Sequence, residues 1–270
     1  MQGLNFGFGP VEAEFWRWMF VMTRIGAALV AAPFFGATNV PPQARVIVTG
    51  AIALLVCNWT QVAAPDHLFS LAGALAVAGE VLIGLSLGLV LQFAFAAPTI
   101  AAEIIGGGMG MSMAAAIDPH TGGRSPALGQ YFGVLLTLIF LSLGGHLQWL
   151  TLVVHSYDSF PPGQTWLGPQ RFAEMASFGS AMFATAVIIA LPVTLVLLLV
   201  QVMAGFISRS APALNLFSLG LPAGIVAGFA ALIITAPLLT DRLTDLSADA
   251  IAMATKVVAP TAIPPRPITP

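Results

Sequence analysis

The stretch Gly108-Met109-Gly110-Met111-Ser112-Met113 opens like a dinucleotide-binding loop, yet methionine stands where its third glycine belongs. Gly110 to Ala114 falls one residue short of a nucleophile elbow. Both motifs need a strand feeding a helix, and the alternating pattern of such a fold is missing here. The four histidines, His67, His120, His146 and His155, lack metal-ligand spacing. The single cysteine, Cys57, excludes a disulfide framework within the chain. No catalytic residue, cofactor site or metal site is assigned on these grounds, and catalysis is disfavoured.

The polar residues that do stand out lie on glycine seams. Glu80, Gly84, Gly88 and Gln92 are spaced by four and share one helix face. Small residues there let two backbones approach, while the polar ends offer bonds. Gln201, Gly205 and Arg209 repeat the spacing, as do Gly220, Gly224 and Gly228. These seams are expected to pack helices within the chain or at a subunit interface, where Glu80 would meet a partner's cation. Met109, Met111 and Met113 alternate in a glycine-rich stretch. Flexible, apolar methionines there could form a soft constriction that excludes water.

Positioning these residues falls to an apolar chain. Of 270 residues 58% are hydrophobic and only 7% are charged, with mean hydropathy +0.93. An ordinary soluble domain carries about 25% charged residues, so a free cytosolic enzyme is excluded. The net charge of −2 leaves no basic footprint for nucleic acid. Charge is absent from residues 25–44, 46–65, 81–102, 125–157, 175–208 and 210–240. Each stretch reaches about the 20 residues that cross a bilayer. The chain reads as a polytopic membrane protein or a subunit buried in a larger apolar assembly.

The fold class is all-α, with six long apolar helices at about 18–35, 44–64, 71–97, 127–154, 181–207 and 213–239. Breaks are expected at Pro98 to Arg124 and at Pro212 to Pro222, where Gly and Pro are dense. Leu239, Leu243, Leu246, Ala250, Met253 and Val257 then step by four and three, with Asp241, Arg242, Asp245, Asp249 and Lys256 off the stripe. This predicts an amphipathic C-terminal helix over 241–258. Residues 259–270 hold five prolines and read as a disordered tail. The domain reading is therefore one unit over 1–258 followed by that tail. Arg17, Arg171, Arg242, Lys256 and Arg266 outnumber Arg45, Arg124 and Arg209, which favours cytoplasmic termini.

The order of several short pieces resembles the FliR family of flagellar export components, whose injectisome relatives are called SctT. The pieces are Gly79-Glu80 with Gly84 and Gly88, then Glu103 leading into Gly106, Gly107, Gly108 and on to Ser112. Asp118-Pro119, Gly145-His146 and Ser156 with Pro161-Pro162-Gly163 follow, then Arg209, Pro212, Asn215, Phe217, Gly220 and Pro222. The resemblance covers roughly residues 10 to 240. It implies a non-enzymatic subunit that joins FliP and FliQ in the type III export gate of the inner membrane, within the flagellar basal body. The gate would pass unfolded flagellar substrates and work with FlhA, FlhB and a cytoplasmic ATPase complex. The resemblance also implies tilted helical hairpins in a right-handed assembly, much of it above the membrane plane. It maps a pore plug onto Gly106 through Ile117, including Met109, Gly110, Met111, Ser112 and Met113. Asp118-Pro119 and Gly145-His146 favour flagellar over virulence use. The competing readings are the equivalent injectisome subunit and a small-solute secondary transporter with paired broken helices at 98–124 and 212–222.

Overall fold

The computed structural model describes residues 10–36, 40–59, 70–111, 126–161, 168–210 and 220–259. Among them the regular structure is entirely helical, in seven helices. These are α1 Pro10–Ala31, α2 Pro42–Trp59, α3 Leu71–Gly108, α4 Pro126–Ser142, α5 Gly145–Ser159, α6 Pro169–Ser210 and α7 Leu221–Val258. Four of them open on proline, whose missing N–H matters least in the first turn. Helix α3 opens on a serine cap, with the Gly73 amide donating to Ser70 Oγ at 3.1 Å.

The all-α class therefore holds, and the six-span count is revised. Among the described residues four helices are long and apolar enough to cross a membrane, or five if α4 and α5 form one bent span. Helix α3 does not break at Pro98 but continues ten residues further, to Gly108. Ala97, Ala101, Ala102 and Ile105 are all buried there, and their packing holds the turn that a proline and three glycines weaken. Pro192 and Pro237 lie inside α6 and α7 in the same way. The stretch expected as one helix over 127–154 is instead split. Helices α4 and α5 meet at 70°, and Gly144 between them has φ +70°, a left-handed C-terminal stop for α4.

The sixth apolar helix and the amphipathic helix are one continuous element, α7. Its stripe of Leu239, Leu243, Leu246, Ala250, Met253 and Val257 is buried throughout, and the five charged residues off it are exposed. Helices α3, α6 and α7 have 38, 42 and 38 residues. At about 1.5 Å per residue they reach roughly 57–63 Å, nearly twice the apolar thickness of a bilayer.

The chain forms two compact units. The first comprises residues up to Leu91, Leu147–Met175 and those from Ile251 on, and the second Gln92–His146 and Ala176–Ala250. Phe20, Ile25, Leu29, Ile83, Leu87 and Trp149 fill the core of the first. Ile105, Met109, Phe132, Phe140, Val193 and Leu197 fill that of the second.

Candidate functional site

In the first unit, α1, α3 and the α5 end converge on Arg24. Its Nε donates to Glu80 Oε2 at 2.7 Å and its NH2 to Glu80 Oε1 at 2.9 Å. NH1 donates to Ser156 Oγ at 3.0 Å, and NH2 also to the Phe160 carbonyl at 2.8 Å. The guanidinium lies 4.0 Å from the centre of the Tyr157 ring, and the Tyr157 hydroxyl donates to the Val21 carbonyl at 2.9 Å. Both charged side chains are wholly buried. Such a pair is tolerated because the fork is bidentate and two further guanidinium protons find acceptors in Ser156 and Phe160.

The same helices meet along the Glu80 seam. A Cβ at Gly84 would overlap the Arg24 carbonyl oxygen, and one at Gly88 would lie 2.7 Å from the Ala28 oxygen. Glycine at both positions lets α3 press onto the α1 backbone and bring Glu80 level with Arg24. Trp149 fastens α5 to α3, its Nε1 donating to the Leu87 carbonyl at 3.1 Å. Gln92, the last residue of the seam, is exposed.

The second unit holds the end of α3. Gly106 is buried, Gly107 is exposed with open space around it, and Gly108 is half-buried. Met109 is only 1% exposed, and Gly110 turns the chain with φ +80°, a conformation that glycine adopts without strain. Met111 is half-buried. Gln201 of α6 donates to the Gly108 carbonyl at 2.7 Å. Gly224 and Gly228 of α7 lie against Met109. An apolar cavity of about 550 Å³ is lined by Met109, Met111, Phe132, Phe229, Leu232 and Ala236, among others. Gly205 and Arg209 sit on an exposed face of α6, with open space at Gly205. Gly220 is half-buried. Ser112, Met113, Ile117, Pro212 and Asn215 lie outside the described residues, as do Asp118-Pro119 and the tail beyond 259.

The geometry gives two residues partners that were not assigned from the sequence. Arg24 carried a sequence signal, a lone cation opening a charge-free run, which calls for a partner. The role of Gln201 as a bond to the α3 end had none. Among the described residues no group of three His, Cys, Asp or Glu side chains could hold a metal ion.

Large apolar side chains cover the outside of α6 and α7. Leu199, Met203 and Phe206 on α6 and Val226, Ile233 and Ile234 on α7 are all more than 60% exposed. A surface of that kind needs lipid or another apolar surface against it.

The family described as "Bacterial export proteins, family 1" matches residues 15–250. Similar proteins include three flagellar biosynthetic proteins FliR. That of Bacillus subtilis (strain 168) is 34% identical over 80% of this chain and 84% of its own length. That of Pectobacterium carotovorum subsp. carotovorum is 31% identical over 82% and 84%. That of Escherichia coli (strain K12) is 30% identical over 81% and 83%.

Proposed function

The chain belongs to the bacterial export proteins, family 1, and from that membership we propose that it is a subunit of the flagellar type III export gate in the inner membrane. That it is a membrane-type component of flagellar export follows from the family and from four or five helices able to span a bilayer. In the finer reading it joins counterparts of FliP and FliQ to form the channel for unfolded flagellar substrates. FlhA and FlhB are its further partners in the export apparatus, and the subunit works without catalysis.

The observation that carries this reading is the family match across residues 15–250. The exposed apolar faces of α6 and α7 support assembly, because a lone subunit would leave them uncovered outside lipid. The plug is assigned to Gly106 through Ile117. Its support is the run from Gly107 to Gly110, with Met109 buried beside an apolar cavity. An apolar seal excludes water by dewetting, whereas a charged one stays hydrated.

The test is co-expression with the FliP and FliQ counterparts from the same genome. One detergent-stable complex containing all three, together with loss of motility when the gene is removed, is the expected result. A stable isolated monomer that takes up solute in liposomes would refute the reading.

A further inference from the structure

The last carbonyls of a helix have no amide four residues on within the helix, so they need other donors. At the end of α3 the Gly108 carbonyl receives Nε2 of Gln201 at 2.7 Å. Leu197, one turn earlier on α6, approaches the same glycine: a Cβ at Gly108 would lie 3.0 Å from Leu197 Cδ1. The next residue, Met109, lies across α7. A Cβ at Gly228 would lie 2.6 Å from Met109 Cγ and 3.1 Å from Sδ, and one at Gly224 would lie 3.3 Å from the Met109 oxygen. Two glycines one turn apart thus make a notch for this one residue, Gly228 beside its side chain and Gly224 beside its backbone. On its other side Met109 lines the cavity of about 550 Å³, so an unbranched thioether has a second place to go.

We propose that Gln201 and the Gly224–Gly228 notch are positioning residues that hold the start of the plug in its closed place. They thereby set how readily the plug yields. This rests on the reading of Gly106 through Ile117 as the plug. Gln201 fixes the backbone where helix gives way to turn, and the notch fixes the first buried side chain beyond it. A side chain at residue 228 removes the seat without touching the plug sequence and shifts Met109 toward the cavity. Loss of the Gln201 amide removes this bond to the last carbonyl of α3. Either change favours the displaced arrangement over the seated one.

The test uses the complex assembled with the FliP and FliQ counterparts, carrying Gly228→Val, Gly228→Ala or Gln201→Leu. Gly133→Ala is the control, since a methyl there meets open space. Two quantities are read, with assembly checked on a native gel: membrane potential in cells, and the maleimide labelling rate of Met109→Cys in a Cys57→Ser background. The notch and Gln201 variants should label several-fold faster and depolarise cells, less than removal of residues 107–116 does, while the control matches wild type. Gly228→Ala combined with Met109→Ala should leak no more than Met109→Ala alone. If Gly228→Val does not assemble, Gly228→Ala carries the comparison. Assembled variants that label at the wild-type rate and stay ion-tight, beside a leaking deletion, would overturn the latch and leave the plug standing. An ion-tight, assembled deletion would overturn the plug and with it the gating role of the latch.

Discussion

Arg24 and Glu80, 56 residues apart in sequence, face each other through two hydrogen bonds of 2.7 and 2.9 Å with both side chains fully buried. This pair aligns α1 with α3, and Ser156 and Phe160 bring the end of α5 onto the same guanidinium.

Breaking such a pair on one side strands a buried charge and costs about 3–5 kcal/mol, more than replacing both members with apolar residues. Arg24→Met and Glu80→Leu should each lower the melting temperature of the detergent-solubilised complex. The double variant should recover much of the loss. Additive losses would mean that the two residues act separately.

The glycines divide by what surrounds them. Gly84→Ala and Gly88→Ala drive a methyl into the α1 backbone, so both should reduce the folded yield of the subunit. Gly133→Ala faces open space in α4. It should be neutral or stabilising by up to about 1 kcal/mol, the helix preference of alanine over glycine. Yield by quantitative blot and thermal stability of the complex separate the two groups.

Removal of residues 107–116 should leave the complex assembled yet permeable to ions, measured as membrane potential or conductance. Single Met109→Ala or Met111→Ala changes should leak less, because neighbouring apolar side chains fill part of the gap. An assembled, ion-tight deletion would remove the sealing role from this segment.

Leu243 and Leu246 are 0% and 4% exposed on the inner stripe of α7. Their joint replacement by Asp buries two carboxylates without partners and should abolish motility in a soft-agar assay. Removing residues 260–270 should leave motility intact. The reverse outcome would exchange the importance assigned to the two segments.

The α7 seam was legible in the sequence because its apolar residues repeat at helical spacing and every nearby charge falls off them. The continuation of α3 past Pro98 was not. Local propensity counts a proline and three glycines against a helix, and only the packing around Ala101, Ala102 and Ile105 reverses that count. The Gly144 turn escaped for a different reason: the Gly144-Gly145 pair beside Ser142 marks it, but the charge-free run from 125 to 157 reads as one long apolar stretch. The Glu80 seam could be seen as a face, whereas its partner Arg24 could not be chosen, because pairing across 56 residues leaves no periodic trace. The glycine and methionine run was legible as composition. The contacts of Gly108 with Gln201 and of Met109 with Gly228 emerged only from geometry.

The Arg24 clamp also imposes a timetable on synthesis. A ribosome adds about 5–20 residues per second, so Glu80 follows Arg24 by roughly 3–11 s, and Ser156, 132 residues on, by roughly 7–26 s. Until Glu80 exists, Arg24 is a cation without its bidentate partner, and burying it alone costs several kcal/mol. The α1–α3 pairing therefore waits for the third helix, and the clamp closes only when the fifth brings Ser156 and Phe160. A ribosome stalled between those points leaves a chain whose N-terminal helix lacks its lock.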